Sequence, residues 1–237
     1  MNAQRQSKTY GHLAVHYRNR SEGQLAARLL RELGFTECYA MEQPGEGGTF
    51  FHFVIDEQAD RGTDRIFYLL CMPDVLSALY AEIGKRLGVG TADEAAEVKA
   101  LRAAQAEDPE FNFHAAIVLP SLEELEEMVL RVQKLAAEDP DLKGRIKVTL
   151  NRARPGTPEV DARMDASPVF ADVTRHTYGP NGVQVFVETD LICGGPLGDN
   201  WAFEFDYVFP GYKDNILNAP SVEAEAAIAA KEQAGAS

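Results

Sequence analysis

Tyr10-Gly11-His12-Leu13-Ala14-Val15-His16 is the stretch whose reading decides the fold, because an amphipathic helix ending at Leu33-Gly34-Phe35 follows it at once. The same order returns at Phe113-His114-Ala115-Ala116-Ile117-Val118, again a histidine heading a short alternating strand that leads into an amphipathic helix. Each helix has a hydroxyl followed three residues later by Gln or Glu, Ser21 with Gln24 and Ser121 with Glu124, the pattern of a capping box. A strand-helix unit that recurs in this way reads as an internal repeat, hence two related modules.

Working outward, strand alternation places His12, Ala14 and His16 on one face and Leu13, Val15 and Tyr17 on the other. Leu25, Leu29 and Leu33, widened by Ala26 and Leu30, give the first helix an apolar stripe that must cover a sheet, and Gly34 suits the left-handed position after its end. Strands are expected at 35–41, 49–56 and 65–72, separated by a glycine-rich turn at 44–48 and a polar turn at 57–64. The first module therefore reads βαβββ. Helices at 74–87 and 91–107, the second opened by Thr91 and Glu94, bridge to the second module.

That module continues with a helix carrying Leu122, Leu125, Val129, Val132 and Leu135. A basic strand at 145–154 follows, then an irregular segment reaching Pro180 that reads as a lid or partner contact. Strands at 182–193 and 201–209 pair across the turn at 194–200. The division expected is a first βαβββ module at 10–72, bridging helices at 73–109, a second βαβββ module at 110–210, and a tail helix at 211–237. Residues 1–9 read as a loose polar arm, and the alanine-rich helix at 221–233 as a piece that packs on another subunit or frays. The fold class is α+β.

With 237 residues, 45% of them hydrophobic, the chain can bury a core without staples. Cys38, Cys71 and Cys193 have neither metal-knuckle nor disulfide spacing, and no apolar signal segment opens the sequence, so a reducing cytoplasm is the expected compartment. No apolar run approaches the roughly 20 residues of a membrane helix. A formal charge of −14 argues against a nucleic-acid partner, which needs a Lys/Arg footprint.

In the strand from Trp201 to Phe209 the aromatics Trp201, Phe203, Phe205, Tyr207 and Phe209 share one face, so Glu204 and Asp206 occupy the other. If Leu13, Val15, Phe113, Ala115 and Ile117 pack under their helices, His12 and His114 lie on that second face too. Three potential metal ligands, His12, His114 and Glu204, then point one way.

On these residues, Gly11-His12 through Leu33-Gly34-Phe35, then His114, then Gly198-Asp199-Asn200-Trp201-Ala202-Phe203-Glu204, the chain resembles the vicinal oxygen chelate superfamily, which includes glyoxalases, bleomycin-resistance proteins and extradiol dioxygenases. The resemblance covers most of residues 10–209. It implies paired βαβββ modules curled into a cup, helices outside, and metal ligands from the first strand of each module and the fourth strand of one. It places the ligand slots on His12, His114 and Glu204, the two-histidine, one-carboxylate pattern of the ring-cleaving members, and so implies Fe(II), with Mn(II) or Zn(II) as alternatives. A fourth, glyoxalase-type ligand would fall near Phe67-Tyr68, where no carboxylate stands, and Gly194 stands near the tyrosine usual in ring-cleaving relatives.

His16, His52, Tyr68, His176 and Tyr178 are the available proton-transfer groups. His16 lies about 13 Å from His12 at roughly 3.3 Å per residue, too far to share an ion but able to line the pocket. The expected function is a divalent-metal enzyme resembling the ring-cleaving extradiol dioxygenases, acting as a homodimer on a small molecule with adjacent oxygens, aromatic ones included. The alternatives are a metal-free binding or resistance protein of the same fold and a non-oxidative isomerase or lyase. The basic run Lys143, Arg145, Lys147, Arg152 and Arg154 reads as a solvated edge or as an anchor for an anionic substrate.

Overall fold

In a computed structural model the described residues are 11–45, 47–55 and 65–212. The loose arm, the polar turn at 57–64 and the terminal helix expected above lie outside them. The element order is β1 (His12–Tyr17), α1 (Gly23–Glu32), β2 (Thr36–Glu42), β3 (Thr49–Val54), β4 (Ile66–Cys71), α2 (Asp74–Arg86), α3 (Ala96–Glu107), β5 (His114–Val118), α4 (Leu122–Glu138), β6 (Ile146–Asn151), α5 (Pro158–Asp165), β7 (Gly182–Cys193) and β8 (Asn200–Val208). Eight strands form one mixed sheet in the order β2-β3-β4-β1-β7-β8-β5, with β6 on β7, so the class is α+β. Among the described residues no helix is long and apolar enough to cross a membrane.

The described residues divide into two compact units, one within 11–114, 134–147 and 188–202, the other of 115–133, 148–187 and 203–212. In the first unit β1 pairs in parallel with β4, His12 opposite Ile66 and Tyr17 opposite Cys71, while β3 runs antiparallel to both β4 and β2. This is the βαβββ arrangement. Parallel pairing of the first and fourth strands requires a crossover, which α1, β2 and β3 supply.

One face of these strands is closed by α1. Ala26, Ala27, Leu29, Leu30 and Leu33 are buried, as are Val15, Tyr17, Phe51, Phe53, Phe67 and Leu69 on the strands. Gly34 follows the helix with φ of 95°, as its place in the sequence suggests. The turn before β3 is locked by Tyr17, whose hydroxyl donates to the Thr49 carbonyl and accepts from the Thr49 amide, both at 3.0 Å. Gly48 has φ of 66°, and a Cβ there would stand 2.6 Å from the Tyr17 hydroxyl, so only glycine fits.

Two helix starts differ from the sequence expectation. No side chain caps α1; a 3-10 turn, Arg20–Glu22, precedes it, and Glu22 is held instead by Asn19 and Arg145. The 91–107 helix begins only at Ala96, because Gly88 and Gly90 take left-handed φ and Thr91 and Glu94 close a turn onto Gly88 and Gly90. Ser121 does cap α4, its hydroxyl accepting from the Glu124 amide at 3.2 Å.

In the second unit Leu122, Leu125, Met128, Val129 and Val132 of α4 are buried, together with Val183, Val185, Phe186, Val187, Phe203 and Phe205. The segment expected to be irregular contains α5 and is fastened at several points. Arg152 donates to Asp165 and to the Ala171 carbonyl, and the Thr177 hydroxyl contacts the carbonyls of Gly179 and Gly182. Glu126, 6% exposed, accepts from Arg163 through both carboxylate oxygens and from Ser167.

Candidate functional site

The second module's opening strand is entered through a short 3-10 turn, Pro109–Phe111, capped by Asp108 accepting from the Glu110 amide at 3.1 Å. The turn sets Glu110 beside His114, carboxylate to Nε2 at 3.6 Å. His114 Nδ1 lies 2.8 Å from the Asn112 carbonyl oxygen, which can only accept, so Nδ1 donates there and Nε2 is the ring atom turned toward the carboxylate. Just ahead of this histidine, the Ala202 amide donates to the Phe113 carbonyl at 3.1 Å, bringing in β8 two residues before Glu204.

Glu204 is 4% exposed, and its Oε1 accepts from Gln184 Nε2 at 2.7 Å. Glu110, His114 and Glu204 each present a ligand atom within 4.8 Å of the others, an arrangement that could hold a metal ion. The donor chemistry fits a divalent cation. The imidazole offers Nε2 while Nδ1 is oriented by a backbone carbonyl, and one carboxylate is oriented by an amide, the outer-shell pattern of metal ligands.

Of the ligand slots read from the sequence, His114 and Glu204 are in this group, and His12 is not. His12 stands exposed on β1, its ring 4.8 Å from that of Tyr68. Ala14 is the register partner of Tyr68, so His12 is a diagonal neighbour on the same face. That face continues across the first unit. Tyr68 is 5.2 Å from His52 and 5.1 Å from Phe50, and His52 is 4.9 Å from Tyr39, ring to ring.

Both ring nitrogens of His52 are buried without a hydrogen-bond partner, and burial pushes its pKa below the ordinary histidine value. His16 is half-buried on the same strand face, its pKa also lowered by burial. Thus the structure gathers His12, His52 and Tyr68 on one aromatic floor. His176 and Tyr178 are surface residues of the second unit; the segment around His176 bridges to Arg152.

Glu110 escaped the sequence reading. The available signal was its place four residues before His114, just after Asp108-Pro109. The basic run is largely paired: Arg145 with Glu22 and Asp190, Lys147 with Glu188, Arg152 with Asp165.

No family model matches the chain. No curated protein matches it. Among solved structures it is similar to a protein of Ralstonia eutropha JMP134 provisionally assigned to the glyoxalase superfamily, at 13% identity, over 90% of this chain and 75% of that one, with a TM-score of 0.23. The βαβββ assignment itself rests on strand order and register.

Proposed function

We propose that the chain is a divalent-cation-dependent enzyme acting on a small molecule with adjacent oxygens, the cation held by Glu110, His114 and Glu204. The observation that carries this reading is the cluster itself, with His114 Nε2 turned toward the Glu110 carboxylate. A bound divalent cation would supply Lewis acidity and a template for two neighbouring oxygens. The protein's own part is to hold the donors: Asn112 fixes the imidazole ring and Gln184 fixes the Glu204 carboxylate. His52 and Tyr68, read from the sequence as proton-transfer groups, stand on the separate aromatic floor of the first unit with Tyr39 and Phe50, so no step at the cation cluster is assigned to them.

Within this class the finer reading is an Fe(II) or Mn(II) ring-cleaving dioxygenase. Imidazole with carboxylates suits either ion, and the sequence likeness to extradiol enzymes points to dioxygen as co-substrate. The second carboxylate, Glu110, favours a rival of another class, a non-oxidative isomerase or lyase in which a carboxylate moves a proton.

The test is oxygen uptake by Fe(II)-loaded protein across a catechol panel, with parallel anaerobic assays. Uptake lost in Glu204→Gln and His114→Ala supports the dioxygenase. Turnover without oxygen supports the isomerase or lyase. Retention of a ligand by protein that takes up no cation would replace both with a binding protein. The donor set has its own control: His12→Ala retains the cation if Glu110 is the third ligand and loses it if the resemblance places His12 correctly.

A further inference from the structure

The first unit holds a polar pocket of about 240 Å³, lined by residues of α3, by Asn112, by Lys147 of β6 and Glu188 of β7, and by the turn before β8. Asn112 links it to the candidate cation cluster through its backbone only; its side chain is free for other work. Asn112 is 8% exposed, and its amide nitrogen is buried without a hydrogen-bond partner. An unpartnered buried donor is destabilising, a cost that an acceptor from outside the chain would remove.

The rest of the wall is rich in donors. Arg102 places one bond on Glu94 and one on the Leu197 carbonyl, two of its five N–H groups. Lys147 uses one of three on Glu188, at 2.6 Å. Gln105 and Asn200 add amides. On the acceptor side Glu188 is committed to Lys147, and burial pushes the Asp199 carboxyl above the usual carboxylate range, against the opposing pull of Arg102 and Arg18. Donors are in surplus, and the space is smaller than the roughly 300–1,000 Å³ of a drug-sized site.

We propose that this pocket, lined by Arg102, Gln105, Asn112, Lys147, Asp199 and Asn200, binds a small carboxylate, independently of any cation at Glu110, His114 and Glu204. The carboxylate's two oxygens accept from Asn112 Nδ2 and from the unused N–H groups of Arg102 and Lys147. Because no metal takes part, the site operates in chelator-treated protein, so its failure and that of the cation reading are separate results.

The experiment is calorimetric titration of the EDTA-treated full chain with malonate, and with malonamide as the uncharged isostere. Saturable malonate binding is expected, with malonamide weaker by about tenfold or more, the worth of a charge-assisted bond. Arg102→Gln should weaken malonate by about tenfold and Asn112→Ala by about fivefold, while Lys134→Gln, exposed and distant in sequence from the pocket, changes nothing. Asn112→Ala should also keep or raise the melting temperature, since it deletes an unpaired donor.

Absence of saturable malonate binding overturns the proposal, as does equal binding of malonamide or unchanged affinity in both pocket variants. A melting temperature lowered by Asn112→Ala assigns that side chain a structural role and overturns it as well. Inorganic phosphate displacing malonate with higher affinity overturns the carboxylate assignment.

Discussion

His114 Nδ1 and the Asn112 carbonyl oxygen are 2.8 Å apart, two residues along the same chain, and this one bond fixes which ring nitrogen of His114 turns toward Glu110. The expected outcome in a 15N-labelled protein at neutral pH is a protonated Nδ1 and a pyridine-like Nε2, with the Nε2 resonance responding when Zn(II) or another diamagnetic ion is added. A spectrum with the proton on Nε2 would remove the ligand atom on which the cation cluster depends.

Acidification provides a second test, through His52 and His16. Burial lowers both pKa values, so each ring binds its proton more readily in the unfolded chain. Their contribution to stability is therefore fully present above the ordinary histidine pKa of about 6.5 and is lost as pH falls through it toward the folded values. Melting temperature should drop between pH 7 and pH 5, and His52→Phe should make the drop shallower while costing little at pH 7, because the ring nitrogens it removes have no partners. An unchanged pH slope in His52→Phe would contradict this.

The buried carboxylate of Glu126 depends on Arg163 and Ser167. Arg163→Met should destabilise the chain by about 3 kcal/mol in denaturant unfolding, since it strands a charge in the second unit's core. The double variant Arg163→Met/Glu126→Leu should recover most of that loss. Equal destabilisation by both would mean that shape and not charge governs the site.

Gly48→Ala tests the lock at the turn before β3. Positive φ and a 2.6 Å approach to the Tyr17 hydroxyl make the expected cost about 1–3 kcal/mol, read as a lower melting temperature. Tyr17→Phe, by removing that hydroxyl, should make the alanine variant less costly in combination, a coupling a double-mutant cycle measures.

How much of this was legible in the sequence depends on the element. Alternation in β1 and the Leu25, Leu29 and Leu33 stripe of α1 carry their own periodicity, so the βαβββ order of the first module could be read from residues alone. The start of α4 was read correctly from Ser121, but those of α1 and α3 were not, because Glu22 and Thr91 bond to groups that local pattern does not reveal, Arg145 in one case and the left-handed Gly88 turn in the other. The helix α5 was hidden by the surrounding Pro, Gly and Asp residues. At the site, β-strand period placed Glu204 and the repeat placed His114. Glu110 sits on a 3-10 turn, which has no period long enough to read, and only the fold sets its carboxylate beside the imidazole.

The most direct measurement is elemental analysis of purified protein after loading with Fe(II), Mn(II) and Zn(II) under anaerobic conditions and gel filtration. The account predicts a stoichiometric ion retained by the wild type and by His12→Ala, and lost from His114→Ala, Glu204→Gln and Glu110→Gln. Wild-type protein that retains no ion, or retention that survives removal of His114 and Glu204, would contradict it.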